Sequence, residues 1–145
     1  MWPPVALAGP WLAGFALTAW FGDPISLDQQ WVRGLGTLLV FAFCIWNGWS
    51  LWLMRTHRTA LLPGGSTQVV IDSGPFRLSR NPLYVGLVAL YIGLAMLWLS
   101  FWALVLLPVG IALLWWGAVS PEERYLSAKF GSRYDDYRRR VRRWL

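Results

Sequence analysis

Two clusters of polar residues stand beside long apolar runs. The first is Arg80-Asn81-Pro82-Leu83-Tyr84, inside the longer stretch from Gly74-Pro75-Phe76 to Val85-Gly86. The second follows the next apolar run: Glu122-Glu123-Arg124-Tyr125-Leu126, then Phe130-Gly131-Ser132-Arg133-Tyr134 and Tyr137. Polar residues at this density beside membrane spans are costly to place and seldom idle. One cluster is led by a cation, the other by a pair of anions. Such a pair suits a zwitterionic ligand with an amino acid end. A carboxylate side chain accepts from an ammonium, and backbone N–H groups or an arginine hold a carboxylate. A structural use of the first block competes with this reading: Arg80 on lipid phosphate, Pro82 opening a span, Tyr84 in an aromatic belt. The residues by themselves do not select one anionic cofactor over another.

The elements that must position these clusters are membrane helices. The run Val5 to Phe21 barely spans a hydrocarbon core of about 30 Å, and Pro10 should kink it or mark its first turn. Val32 to Met54 spans with tilt, and its Asn47 and Ser50 should face other helices. Leu83 to Val119 carries no charge. As one helix it would be roughly 55 Å long, so it must fold into two passes. Trp98-Leu99-Ser100-Phe101 is the expected turn, with Pro108 inside the fourth pass. This hairpin returns the chain to its starting side and brings Pro82 and Pro121 to one membrane face.

The expected fold is therefore an all-α integral membrane protein. It has about four transmembrane helices, a tight helical hairpin and a C-terminal amphipathic cytosolic helix. A single domain covers residues 1–145, with spans near 5–21, 32–54, 83–99 and 102–119. The tail from residue 120 reads as a new helix, with Ser120 as N-cap, Pro121 at N1 and two glutamates in the first turn. In the loop over 55–82, Pro63-Gly64-Gly65-Ser66-Thr67 lacks the lysine of a P-loop. Thr67 to Ile71 is β-branched and suits an extended segment, and Gly74-Pro75 forces a turn.

Composition agrees. The chain is 57% hydrophobic and only 14% charged, with 12 Trp and a mean hydropathy of +0.44, as in an integral membrane protein. The net charge of +6 is concentrated in Arg124, Lys129, Arg133, Arg138, Arg139, Arg140, Arg142 and Arg143. No nucleic-acid reading module accompanies that charge, so nucleic acid is not an expected partner. By the positive-inside rule the loop over 55–82 and the tail face the cytoplasm, which puts both termini there. Four spans in that orientation are compatible with a bacterial inner membrane. Cys44 is a lone thiol inside an apolar run and makes neither disulfide nor metal site; His57 is alone at a membrane edge. The N-terminus shows no removable signal peptide.

Taken together, the polar blocks resemble the isoprenylcysteine carboxyl methyltransferase and phospholipid methyltransferase families. Those families show an Arg-His-Pro-x-Tyr-x-Gly block, a Glu-Glu pair and a Phe-Gly-x-x-Tyr-x-x-Tyr tail. The resemblance runs from Thr67 to Val141. It implies S-adenosylmethionine as cofactor, held in a cytosolic pocket, and a lipid-like or isoprenoid-bearing acceptor entering from the membrane. Carried over position by position, the cofactor residues would be Gln68, Val69, Val70, Ile71, Phe76, Asn81, Pro82, Leu83, Tyr84 and Glu122. No catalytic residue and no metal ligand is assigned. Glu123, Arg80 and the tail tyrosines match as motif positions without a role.

Three positions depart from the pattern. Asn81 replaces the usual histidine; it can exchange hydrogen bonds but cannot carry a proton near neutral pH. Phe76 replaces a tyrosine. Ala118 stands where the prenylcysteine enzymes have a substrate-binding arginine, which argues against a prenylcysteine carboxylate as acceptor. Two other readings remain open from sequence: an NADPH-dependent membrane reductase of the sterol reductase type, and a non-catalytic lipid-binding membrane protein.

Overall fold

A computed structural model describes residues 3–24, 29–57 and 70–145; Gln68 and Val69 lie outside the described residues. Those residues are almost entirely helical, with no strand among them. Helix α1 covers Pro3–Phe21 and α2 covers Gln29–Thr56. The short α3 covers Pro75–Leu78, and α4 covers Pro82–Leu97. Helix α5, Phe101–Leu114, runs through a π-helical turn, Trp115–Val119, into α6, Ser120–Phe130. Helix α7 covers Ser132–Arg140.

Helices α1 and α2 and the continuous helix Phe101–Phe130 are long and apolar enough to cross a membrane; Pro82–Leu97 is a shorter apolar helix. A 30-residue helix is about 45 Å long, against about 30 Å of hydrocarbon. Its apolar stretch ends at Val119, and α6 projects beyond it into the headgroup and aqueous layers. The chain is an integral membrane protein.

Helix α2 packs along α4 and α1 along α5, and α4 joins the two pairs. Small residues allow these close approaches, as expected where lipid gives no hydrophobic drive for helix association. A Cβ at Gly36 would meet the Gly93 carbonyl at 2.8 Å, and one at Gly14 would meet the Ala103 backbone at 2.4 Å. Asn47 is buried against Gly86 and donates through Nδ2 to the Leu83 carbonyl at 3.3 Å, so it faces a neighbouring helix as its position in the span predicts. Trp46 Nε1 donates to the Pro82 carbonyl at 2.8 Å. Pro10 lies inside α1.

The α4–α5 hairpin turns at the expected residues. Leu99 adopts a positive φ of 56°. The Ser100 amide donates back to Ala95, and the Ser100 hydroxyl accepts from the Ala103 amide as an N-cap. The end of α1 ties this turn down: Asp23 accepts from the Phe101 amide at 3.0 Å, and Trp102 Nε1 donates to the Gly22 carbonyl at 3.0 Å.

The tail differs from expectation at its start. Ser120 is no N-cap: its backbone is α-helical (φ −65°, ψ −44°) and its amide donates to the Trp115 carbonyl, closing the π turn. A proline normally clashes with the preceding helical turn and removes a donor. The wider π turn just upstream relieves that crowding, so the helix continues through Ser120-Pro121 instead of restarting there. Gly131, with φ 53° and ψ −129°, then separates α6 from α7.

Candidate functional site

The two polar clusters meet. Pro82 begins α4 and Pro121 lies in the first turn of α6, and the hairpin between them brings both to one end of the bundle. Tyr84, on the first turn of α4, donates its hydroxyl to Glu122 Oε2 at 2.5 Å. Asn81 Nδ2 lies 3.4 Å from Glu123 Oε1 and donates to the Arg143 carbonyl at 3.1 Å. Asn81 occupies the N-cap position of α4, yet its side chain makes no capping bond. An asparagine there would ordinarily satisfy a helix amide, worth about 1 kcal/mol. Here it turns to Glu123 and the Arg143 carbonyl instead.

Glu123 is the hub. It is 7% exposed. Arg143 grips it with two prongs, Nε to Oε1 and Nη2 to Oε2, both at 3.0 Å. Arg80 Nη1 lies 3.3 Å from Oε1, with the Arg80 side chain only 8% exposed. Burial opposes ionisation of Glu123, but the Arg143 hydrogen bonds and the Arg80 and Arg143 charges outweigh it and hold the carboxyl below the usual carboxylate range. Glu122 is treated in the opposite way. Burial pushes its carboxyl up; the Tyr84 bond opposes this, and the neighbouring Glu123 charge adds to it. Adjacent glutamates are thus one a structural anion, the other a half-buried carboxylate with a tyrosine for company. One donor of the network is left over: among the described residues, Arg80 Nε is buried without a hydrogen-bond partner, while Nη1 serves the Glu123 ion pair.

The loop before α3 closes one side. Gly74 has φ 57° and ψ −133°, and a Cβ there would meet Leu53 at 2.7 Å, so only glycine fits. Phe76 follows, half-buried, and its carbonyl accepts from the Tyr137 hydroxyl at 2.6 Å. Val70 packs against the cluster of Tyr134, Tyr137 and Val141, and Ile71 is buried. Burial pushes the Tyr134 and Tyr137 hydroxyls up. Among the described residues, a cavity of about 450 Å³ is lined by Asp72, Arg77, Tyr137, Arg140 and Val141. Another of about 490 Å³ is lined by Glu123 and Arg143 together with Ser120, Arg124, Ser127 and Arg138. Both fall within the size range of small-molecule sites.

The phospholipid methyltransferase family model matches residues 31–133. The chain belongs to that family. Searches of curated proteins and of solved structures gave no match. Membership of the phospholipid methyltransferase family implies methyltransferase activity in a membrane.

Of the residues that the sequence singles out, the structure joins Tyr84 to Glu122 directly and Asn81 to Glu123. Pro82 and Leu83 turn their carbonyls to Trp46 and Asn47 of α2, so their backbone serves helix packing. Val70 and Phe76 gather around the tail tyrosines, on the side of the first cavity, and Ile71 is buried. None of Asn81, Pro82, Leu83, Tyr84 and Glu122 lines either cavity, whereas Glu123 lines the second. Sequence reasoning left Glu123, Arg80 and Arg143 without roles. The signal for Arg143 was faint: Val141 and Trp144 are apolar residues in an otherwise basic segment, and both pack inward.

Proposed function

We propose that the protein transfers a methyl group from S-adenosylmethionine to a lipid-like or isoprenoid-bearing acceptor at the membrane–cytosol interface. The observation that carries this reading is the pairing of the two motifs across the hairpin, Tyr84 with Glu122 and Asn81 with Glu123. It supports a donor site built where the two motifs meet, with Asn81 and Tyr84 on one side and Glu122 and Glu123 on the other.

The donor set fits the amino acid end of this cofactor. The buried Arg80 Nε, which has no hydrogen-bond partner among the described residues, suits a carboxylate, and the half-buried Glu122 suits an ammonium. When bound, S-adenosylmethionine supplies an electrophilic methyl group on a sulfonium. The chain's part is then to orient and to exclude water. Tyr84 fixes the Glu122 carboxylate through its hydroxyl. Glu123, Arg80 and Arg143 lock the floor of the site as one ion cluster. The helix pairs leave exposed apolar surface at Trp115 and Trp116, beside the site, where an acceptor chain would lie. An acceptor that is already ionised, or is an amine, needs no strong base. Asn81, in the place of the family histidine, is a hydrogen-bonding group and not a proton carrier.

In this reading the loop over 55–82 and the tail over 120–145 face the cytosol, with both termini on that side. Titration of the purified protein with radiolabelled S-adenosylmethionine tests the reading. Saturable binding is expected; binding of NADPH in its place would move the protein to the reductase class.

A further inference from the structure

Residues 142–144 lie beyond the matched stretch, yet they cross the turn that precedes α4. The Arg142 carbonyl accepts from the Arg80 amide at 2.9 Å. The Arg143 carbonyl accepts from Ser79 Oγ at 3.2 Å and from Asn81 Nδ2 at 3.1 Å. Ser79 is fully buried, and its hydroxyl also accepts from the Asn81 amide at 3.1 Å. The Arg143 guanidinium holds Glu123 and lies over the Trp115 ring, 5.7 Å from its centroid. Trp144 packs against the hydrophobic core formed by the helices. One residue therefore ties together the loop before α4, the π turn and α6.

The two adjacent glutamates show what this tie achieves. Both sit on the same turn of α6, and Arg80 pairs with Glu123. With Arg143 forked onto Glu123, and Asn81 held by the Arg143 carbonyl, Glu123 is fully engaged. Glu122 is left to Tyr84. We propose that Arg143 is a positioning residue of the methyl-donor site: by fixing Glu123 and Asn81 it assigns Glu122 to the ligand. This rests on the reading of the site as an S-adenosylmethionine pocket. Arg143 acts through its fork geometry as well as its charge, so lysine reproduces it only in part.

The test is equilibrium binding of S-adenosylmethionine to the full chain and to Arg143→Gln, Arg143→Lys, Glu123→Gln and the double variant Arg143→Gln/Glu123→Gln, with thermal unfolding and hydrogen exchange on each. Arg143→Gln is expected to raise Kd about tenfold, or about 1.4 kcal/mol. Arg143→Lys should fall between it and the parent. The double variant should bind no more weakly than the weaker single variant, because both remove one interaction. The Arg80 amide should exchange faster in Arg143→Gln. An unfolding midpoint that falls while Kd stays at the parent value would overturn the proposal and leave Arg143 a merely structural residue. Failure of the parent itself to bind would instead remove the donor reading. The clasp is then judged by exchange alone, and an unchanged Arg80 amide in Arg143→Gln would overturn that too.

Discussion

Replacing Glu122 with glutamine separates function from stability in a way that few other positions allow. Glutamine keeps the shape of the side chain and an oxygen for the Tyr84 hydroxyl, now 2.5 Å from the carboxylate. It removes only the charge. Burial already pushes the Glu122 carboxyl up, and the Glu123 charge pushes the same way, against the Tyr84 bond. A carboxyl raised in the folded state contributes stability that is complete below its unfolded pKa and is lost as pH rises through the folded value. At neutral pH the charge on Glu122 is therefore a burden on the fold. Glu122→Gln should unfold at the same temperature as the parent or higher at pH 7, and the difference should shrink as pH is lowered towards the ordinary carboxylate range. Affinity should move the other way. A charge-assisted hydrogen bond to a ligand ammonium is worth about 1.5–3 kcal/mol. The dissociation constant for S-adenosylmethionine should rise roughly ten- to hundredfold. Calorimetric titration and thermal unfolding, in one detergent and on one preparation, read both quantities. A lower unfolding midpoint with unchanged affinity would refute the reasoning and make Glu122 a helix-end residue only.

Asn81→Ala removes the bonds to Glu123 and to the Arg143 carbonyl, and should raise the apparent Kd for the cofactor about tenfold. Asn81→His should retain binding and introduce no new ionisation near pH 6.5 in the methyl-transfer rate, as followed in a pH–rate profile. Gly86→Ala would place a Cβ 2.0 Å from Asn47 Oδ1, and should destabilise the α2–α4 pair by about 1–3 kcal/mol in thermal unfolding. A cysteine appended after Leu145, in a Cys44→Ala background, should be labelled only after the membrane is opened; labelling from outside in intact cells would contradict the orientation.

The membrane part of the fold was legible because its physics is one-dimensional. A charge-free run too long for one pass must turn, and Ser100 and the aromatics around it marked where. Asn47 was readable too, since an amide within a span must find a neighbouring helix. The junction at Ser120-Pro121 misled for a physical reason. Every local signal there, from the hydroxyl to the proline and the two acids, is the pattern of a helix start. The π turn that lets the helix continue has no comparable pattern of its own. At the site, the spacing of the motifs shows that both glutamates reach the same end of the bundle as the Asn81 block. It does not show which of two neighbours an arginine some twenty positions later will take, because that depends on the break at Gly131 and the return of Trp144 to the core.

The central claim is methyl transfer from S-adenosylmethionine to a membrane-borne acceptor. The most direct measurement incubates membranes containing the protein with methyl-labelled S-adenosylmethionine and extracts the lipids. The account predicts label in the organic phase with the parent protein, and far less with Glu122→Gln at subsaturating cofactor. Saturable cofactor binding by the parent, with no label in any lipid fraction and none in Glu122→Gln, would contradict it.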